Sequence, residues 1–101
     1  MRFKQLVYND KTLYNEDKIN ELLEKNDLHW LIDSEIENAS IEIKHRTLIW
    51  NEGNYYAGNW YYGIWKNGDF HGVWENGIFE GGNFKGKFIS GIKKSNTDIK
   101  K

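Results

Sequence analysis

The side chains able to do chemistry are few and scattered. The three histidines, His29, His45 and His71, are far apart in the chain, and none has a metal-binding or catalytic spacing such as HExxH. Isolated histidines of this kind read as solvated or partly packed side chains. Asp33, Glu35 and Glu37 form a short acidic run, with Asp27 and Glu42 nearby. Paired carboxylates do acid–base work or hold a cation only inside a cleft. A small hydrolase using acids of residues 27–42 would need that cleft; without it the run is a solvated loop. An acidic surface of this kind also speeds association with a basic site on another protein. Lys85, Lys87, Lys93 and Lys94 make a small basic patch near the end of the chain, suited to anions or to protecting an edge strand. There is no cysteine, which excludes disulfides, cysteine-built zinc sites and a thiol nucleophile. No glycine lies in a GxxxxGKS/T or strand–GxGxxG–helix context. No catalytic, cofactor or metal site is therefore expected, and the chain reads as non-enzymatic.

Composition narrows the partners. The 101 residues suit a single domain spanning 1–101, and the formal net charge of -1 argues against nucleic acid, which needs clustered Lys and Arg. No apolar run is long enough to span a membrane. With no signal-peptide core and no cysteine, a cytoplasmic location is expected. The chain has two unlike parts. Residues 1–48 carry 7 basic and 10 acidic side chains, net -3. All ten glycines, and twelve of the sixteen aromatics, lie between Trp50 and Gly91.

The elements that must hold these groups follow from periodicity. Residues 2–8 alternate loosely as a strand, and Asn9-Asp10-Lys11 is a turn signal. Ile19, Leu22 and Leu23 place one apolar stripe on a helix over 16–25, with Asn15 as N-cap, Tyr14 and Ile19 as a hydrophobic staple and Asn26 as a left-handed stop. A second apolar patch, Leu28, Trp30, Leu31 and Ile32, is ambiguous in type. Ser40 to Lys44 alternates with period two and reads as a strand.

Residues 49–92 repeat. Three segments beginning at Tyr56, Phe70 and Phe84 align without gaps at a spacing of 14, with glycine third and eighth, an aromatic fifth and isoleucine ninth. A partial copy at 49–54 is offset by one residue. Asn67-Gly68 and Asn76-Gly77 are strong two-residue hairpin dipeptides, and Tyr62-Gly63, Gly81-Gly82 and Ser90-Gly91 hold equivalent places. The spacing thus predicts an antiparallel meander with Lys66 facing Asp69 and with Trp60, Trp65, Phe70, Trp74, Phe79 and Phe84 on one buried face. The fold class expected is α+β, with one or two N-terminal helices covering that face and a frayed tail over 93–101. The last strand of an open meander leaves an edge through which copies can associate.

Tyr56-Ala-Gly-Asn-Trp-Tyr-Tyr-Gly and Phe70-His-Gly-Val-Trp-Glu-Asn-Gly resemble the opening of a MORN repeat, aromatic-x-Gly-x-aromatic-x-x-Gly. The resemblance covers about residues 49–92 and implies stacked β-hairpins used for protein and sometimes lipid contacts. The spacing of 14 is shorter than the usual unit and its later Gly-x-Gly is missing, so no site residue carries over. The dense Gly-aromatic pattern is also similar in style to short repeats of small tailed-phage proteins.

These readings converge on a small protein-binding module, such as a phage-encoded inhibitor covering a host protein. Its expected contacts are Tyr61 and Tyr62, rings at a turn where nothing requires them, together with His71, Asp33, Glu35 and Glu37. The alternative is a carbohydrate or cell-wall binding module, which requires a row of solvent-exposed coplanar rings.

Overall fold

Twelve strands and two helices make up the computed structural model, which describes residues 2–94. The N-terminal part opens with β1 (Phe3–Tyr8) and β2 (Lys11–Leu13), an antiparallel hairpin turning through Asn9 and Asp10 at φ 52 and 65. The expected helix follows as α1 (Glu16–Lys25), where the Asn15 side chain accepts from the Lys18 N–H at 3.0 Å. The staple does not form, because Tyr14 is 66% exposed. Asn26 is not the left-handed stop; Asp27 takes the positive φ of 60. The ambiguous patch becomes the one-turn helix α2 (His29–Ile32).

The strand expected over Ser40–Lys44 is longer, β3 (Glu35–Lys44), and pairs in parallel with β1 and antiparallel with β4 (Thr47–Ala57). Glu35 and Glu37 therefore lie on a strand, not in a loop. Ile19 and Leu23 of α1, with Phe3 and Leu6 of β1, join the buried core.

The antiparallel meander does not form. After β4 the chain makes two-residue strands: β5 (Asn59–Trp60), β6 (Ile64–Trp65), β7 (Asp69–Phe70), β8 (Val73–Trp74), β9 (Ile78–Phe79), β10 (Asn83–Phe84), β11 (Lys87–Phe88) and β12 (Ile92–Lys93). All their pairings are parallel. The first half of β4 continues through β6, β9 and β12; its second half continues through β7 and β10; β5, β8 and β11 form a separate three-stranded sheet on the third side. The repeat thus coils as a three-sided solenoid in which each 14-residue unit is one turn. Lys66 does not face Asp69; its N–H donates instead to the Trp50 carbonyl one coil earlier at 2.8 Å.

The expectation that the rings are core holds for Trp60, Trp65, Phe70, Trp74 and Phe79, whereas Phe84 is only partly buried. Trp50, Tyr55, Trp60, Trp65, Phe70, Trp74 and Phe79 are fully buried. They point into the coil, not against a helical cover as expected. Each side contributes a column of parallel rings: Trp50–Trp65–Phe79 at 4.6 and 5.8 Å, Tyr55–Phe70–Phe84 at 4.8 and 5.3 Å, and Trp60–Trp74 at 5.1 Å. Between columns the rings meet edge to face, as Trp60 and Trp65 do at 79°, which aromatic quadrupoles favour. All five tryptophans bury an indole Nε1–H with no hydrogen-bond partner among the described residues. Edge-to-face packing is the geometry in which ring faces receive such N–H groups.

The gapless alignment slips by one residue in the first coil. Tyr55, not Tyr56, pairs with Phe70 and faces inward. The extra residue between Tyr55 and Trp60 turns Tyr56 outward, 46% exposed. The glycines stack as the rings do. A Cβ on Gly77 would lie 2.7 Å from the Gly63 carbonyl oxygen one coil earlier, and one on Gly91 would lie 2.5 Å from that of Gly77. Coils approach too closely at these corners for any side chain. Of the tail expected to fray, Lys93 continues the ladder on Phe79, and residues 95–101 lie outside the described residues.

Candidate interaction surface

The helices and β3 are joined to the first coil by buried polar links. Ser34 donates to the Trp30 carbonyl at 2.9 Å and shares a short hydrogen bond with the Tyr55 hydroxyl. Burial pushes the Tyr55 phenol up to about 12, although the Ser34 bond pulls the other way. An unfolded tyrosine ionises near pH 10, so between pH 10 and 12 the unfolded state loses a proton that the folded state keeps. Stability present below pH 10 is therefore expected to fall by about 2–3 kcal/mol as pH rises through that window. Tyr55→Phe should flatten most of this slope in denaturant melts at stepped pH; an unchanged slope would show that Tyr55 is not its source.

Arg2 fixes the other side of the junction. Its guanidinium donates to the carbonyls of Ile32 and Ser34 at 2.7 and 2.8 Å, and the Glu16 carboxylate accepts from the backbone N–H groups of Arg2 and Phe3 at 2.9 Å. These anchors locate the acidic run. The sequence alone does not reveal them, because each spans thirteen or more residues.

The expected contact residues divide around the first coil. Tyr61 is 44% exposed and sets a ring edge against Trp30 at 5.8 Å. Together with Asp33, Ser34 and Asn59 it borders a shallow cleft of about 200 Å³. Asp33 and Glu24 contact opposite ring nitrogens of His29, at 3.4 and 2.8 Å. Glu35 is exposed on β3 opposite Ala57. Glu37 accepts from the Tyr56 hydroxyl at 2.8 Å, a bond that holds the Tyr56 phenol above its ordinary range. The Tyr56 ring lies 6.1 Å from His71, which is exposed as expected. Asp33 and Tyr61 thus border one cleft, whereas Glu37 and His71 flank Tyr56, a ring missed in the sequence, and Glu35 lies two residues before Glu37 on β3.

Tyr62 separates from these residues. It is 38% exposed and also touches Trp30, but it opens on a different and larger cavity of about 690 Å³. Burial, then Asp27, raises its phenol above the usual range.

At the far end of the solenoid, no further strand joins β10, β11 or β12 among the described residues. Lys85, Lys87, Lys93 and Lys94 belong to this last coil, with the Lys93 ammonium over the Phe84 and Phe88 rings at 4.7 and 5.5 Å. No group of three potential metal ligands occurs among the described residues, and no described helix is long and apolar enough to cross a membrane. Comparison with family models, curated proteins and solved structures finds no match to this chain.

Proposed function

We propose that this chain is a small non-enzymatic module that binds another protein, in the manner of a phage-encoded inhibitor that covers a host factor. The observation that carries the reading is the exposure of Tyr61, Tyr56 and His71 on the first coils next to Asp33, Glu35 and Glu37 at the start of β3. Exposed tyrosines anchor protein interfaces because they bring large area at little rotamer cost. Flanking carboxylates steer a basic partner into register. The ring columns lock the coil, so little conformational entropy is lost on binding.

Affinity capture from host lysate is expected to recover one dominant protein with the wild type. Tyr61→Ala combined with Glu35→Gln should reduce its recovery at least tenfold without changing the melting temperature by more than a few degrees. No captured protein, or equal capture by the variant, would contradict the reading. The exposed rings of Tyr61 and Tyr62 support the second reading, a glycan-binding module. A glycan array signal abolished by Tyr61→Ala and Tyr62→Ala would favour it over the first.

A further inference from the structure

We propose that the cavity beneath Tyr62 binds a phosphate-bearing small molecule with a planar ring, of about mononucleotide size. This inference does not depend on the protein-binding residues at the start of β3 and on the first coils, which lie outside this cavity.

The cavity forms where separate turns meet: the end of β1 at Tyr8 and Asn9, the end of α1 at Lys25 to Asp27, the β3–β4 turn at His45 and Arg46, and the Tyr62 corner. Its volume of about 690 Å³ lies in the range of small-molecule sites. Lys25 and Arg46 bring two fixed positive charges to the lining and Asp27 a single carboxylate. Among the described residues, neither Lys25 nor Arg46 makes an ion pair or a side-chain hydrogen bond. The guanidinium fork suits phosphate oxygens, and the lysine adds a flexible point charge.

The backbone gives an independent reason. Lys44 pairs with Thr47, so His45 and Arg46 alone close the hairpin, at φ 52 and 64. Such a turn favours Asn-Gly, because a Cβ is crowded in the left-handed region. This chain places glycine at positive φ at the solenoid corners Gly63, Gly77 and Gly91, yet has none here. Strain retained at a turn tip points to side chains that a relaxed turn would lack. Here those are an imidazole and a guanidinium, both lining the cavity.

The remaining lining suits the rest of such a ligand. Tyr8 and Tyr62 offer ring surface to a planar heterocycle, and Tyr62 keeps its phenolic proton to donate. Asn26 donates through Nδ2 to the Leu22 carbonyl at 2.8 Å, leaving its Oδ1 to accept from a ligand. Asp27 opposes a phosphate but accepts from sugar hydroxyls or a ring amine. The negative end of α1 also opposes an anion, yet Leu22 and Leu23 already have their carbonyls bonded by the Asn26 and Leu28 N–H groups.

Calorimetric titration of the full chain with AMP, UMP, adenosine and inorganic phosphate tests this. At least one nucleotide should bind, with adenosine and phosphate each at least tenfold weaker. Arg46→Gly should weaken nucleotide binding at least tenfold while raising the melting temperature by a few degrees, since it relaxes the turn. Lys25→Gln should weaken binding as well, and Tyr61→Ala should leave it unchanged. Binding of neither nucleotide at millimolar concentration, phosphate binding as tightly as the nucleotides, or undiminished affinity in Arg46→Gly would overturn the proposal.

Discussion

Replacing Trp60 with alanine is expected to destabilise the protein by about 3–5 kcal/mol, the range for deleting a large buried ring. Trp60 stacks on Trp74 at 5.1 Å and meets Trp30, Trp50, Tyr55 and Trp65 edge to face. It is the ring through which α2 is joined to all three columns. A domain of this size has roughly 5–15 kcal/mol of stability in total, so the variant should sit near the limit of folding. Trp60→Phe keeps part of the stack and is expected to lose less than half as much. Tyr61→Ala, one residue along and facing outward, should change stability by less than about 1 kcal/mol. Guanidinium melts of the three variants check this order. Equal losses at Trp60 and Tyr61 would mean that the inward and outward assignments are wrong.

The second large effect distinguishes a coil from a meander by its sign. Gly72 has no unusual φ, but a Cβ there would collide with the Gly58 carbonyl oxygen one coil earlier and lie 2.9 Å from the Tyr55 ring. Backbone on one side and a buried ring on the other leave nothing free to move, so Gly72→Ala should cost about 3 kcal/mol, the upper end of overpacking. In a meander, Gly72 would be a mid-strand glycine, and alanine would stabilise it by roughly 0.5–1 kcal/mol. Gly81 provides the control, since its nearest obstacle is the Lys66 carbonyl oxygen at 3.0 Å; there alanine should cost less than about 1 kcal/mol. Thermal melts of both variants decide the matter.

Much of the core is legible in the sequence. Trp60 with Trp74 and Trp65 with Phe79 recur at a spacing of 14 and are buried, although Tyr56, which shares that spacing with Phe70, faces outward; α1 forms where Ile19, Leu22 and Leu23 place its stripe. The coil is harder to read, because a glycine at a turn and a ring three residues before it fit a hairpin as well as a corner. A signal against the hairpin is nonetheless present. Loops at Tyr62-Gly63 and Asn67-Gly68 leave only Ile64, Trp65 and Lys66 between them, shorter than an ordinary strand. Identical residues one period apart, Ile64, Ile78 and Ile92, instead pair in register as a parallel stack requires.

The surface shows the same division. The exposure of Tyr61, Tyr62 and His71 follows from their places outside the ring columns. The placement of Asp33 and Glu35 does not, since it depends on Arg2 bonding across to the end of α2. The cavity of Lys25, His45 and Arg46 leaves no local pattern either, being assembled from turns far apart in the chain.

The coiled path itself is tested most directly by scalar couplings across backbone hydrogen bonds, which identify donor and acceptor residue by residue. The coil requires the Lys66 amide to couple to the Trp50 carbonyl, Glu80 to Trp65 and Ile89 to Trp74, bonds of 2.8, 2.7 and 2.8 Å. Couplings between Lys66 and Asp69 instead, closing a hairpin at Asn67-Gly68, would contradict it.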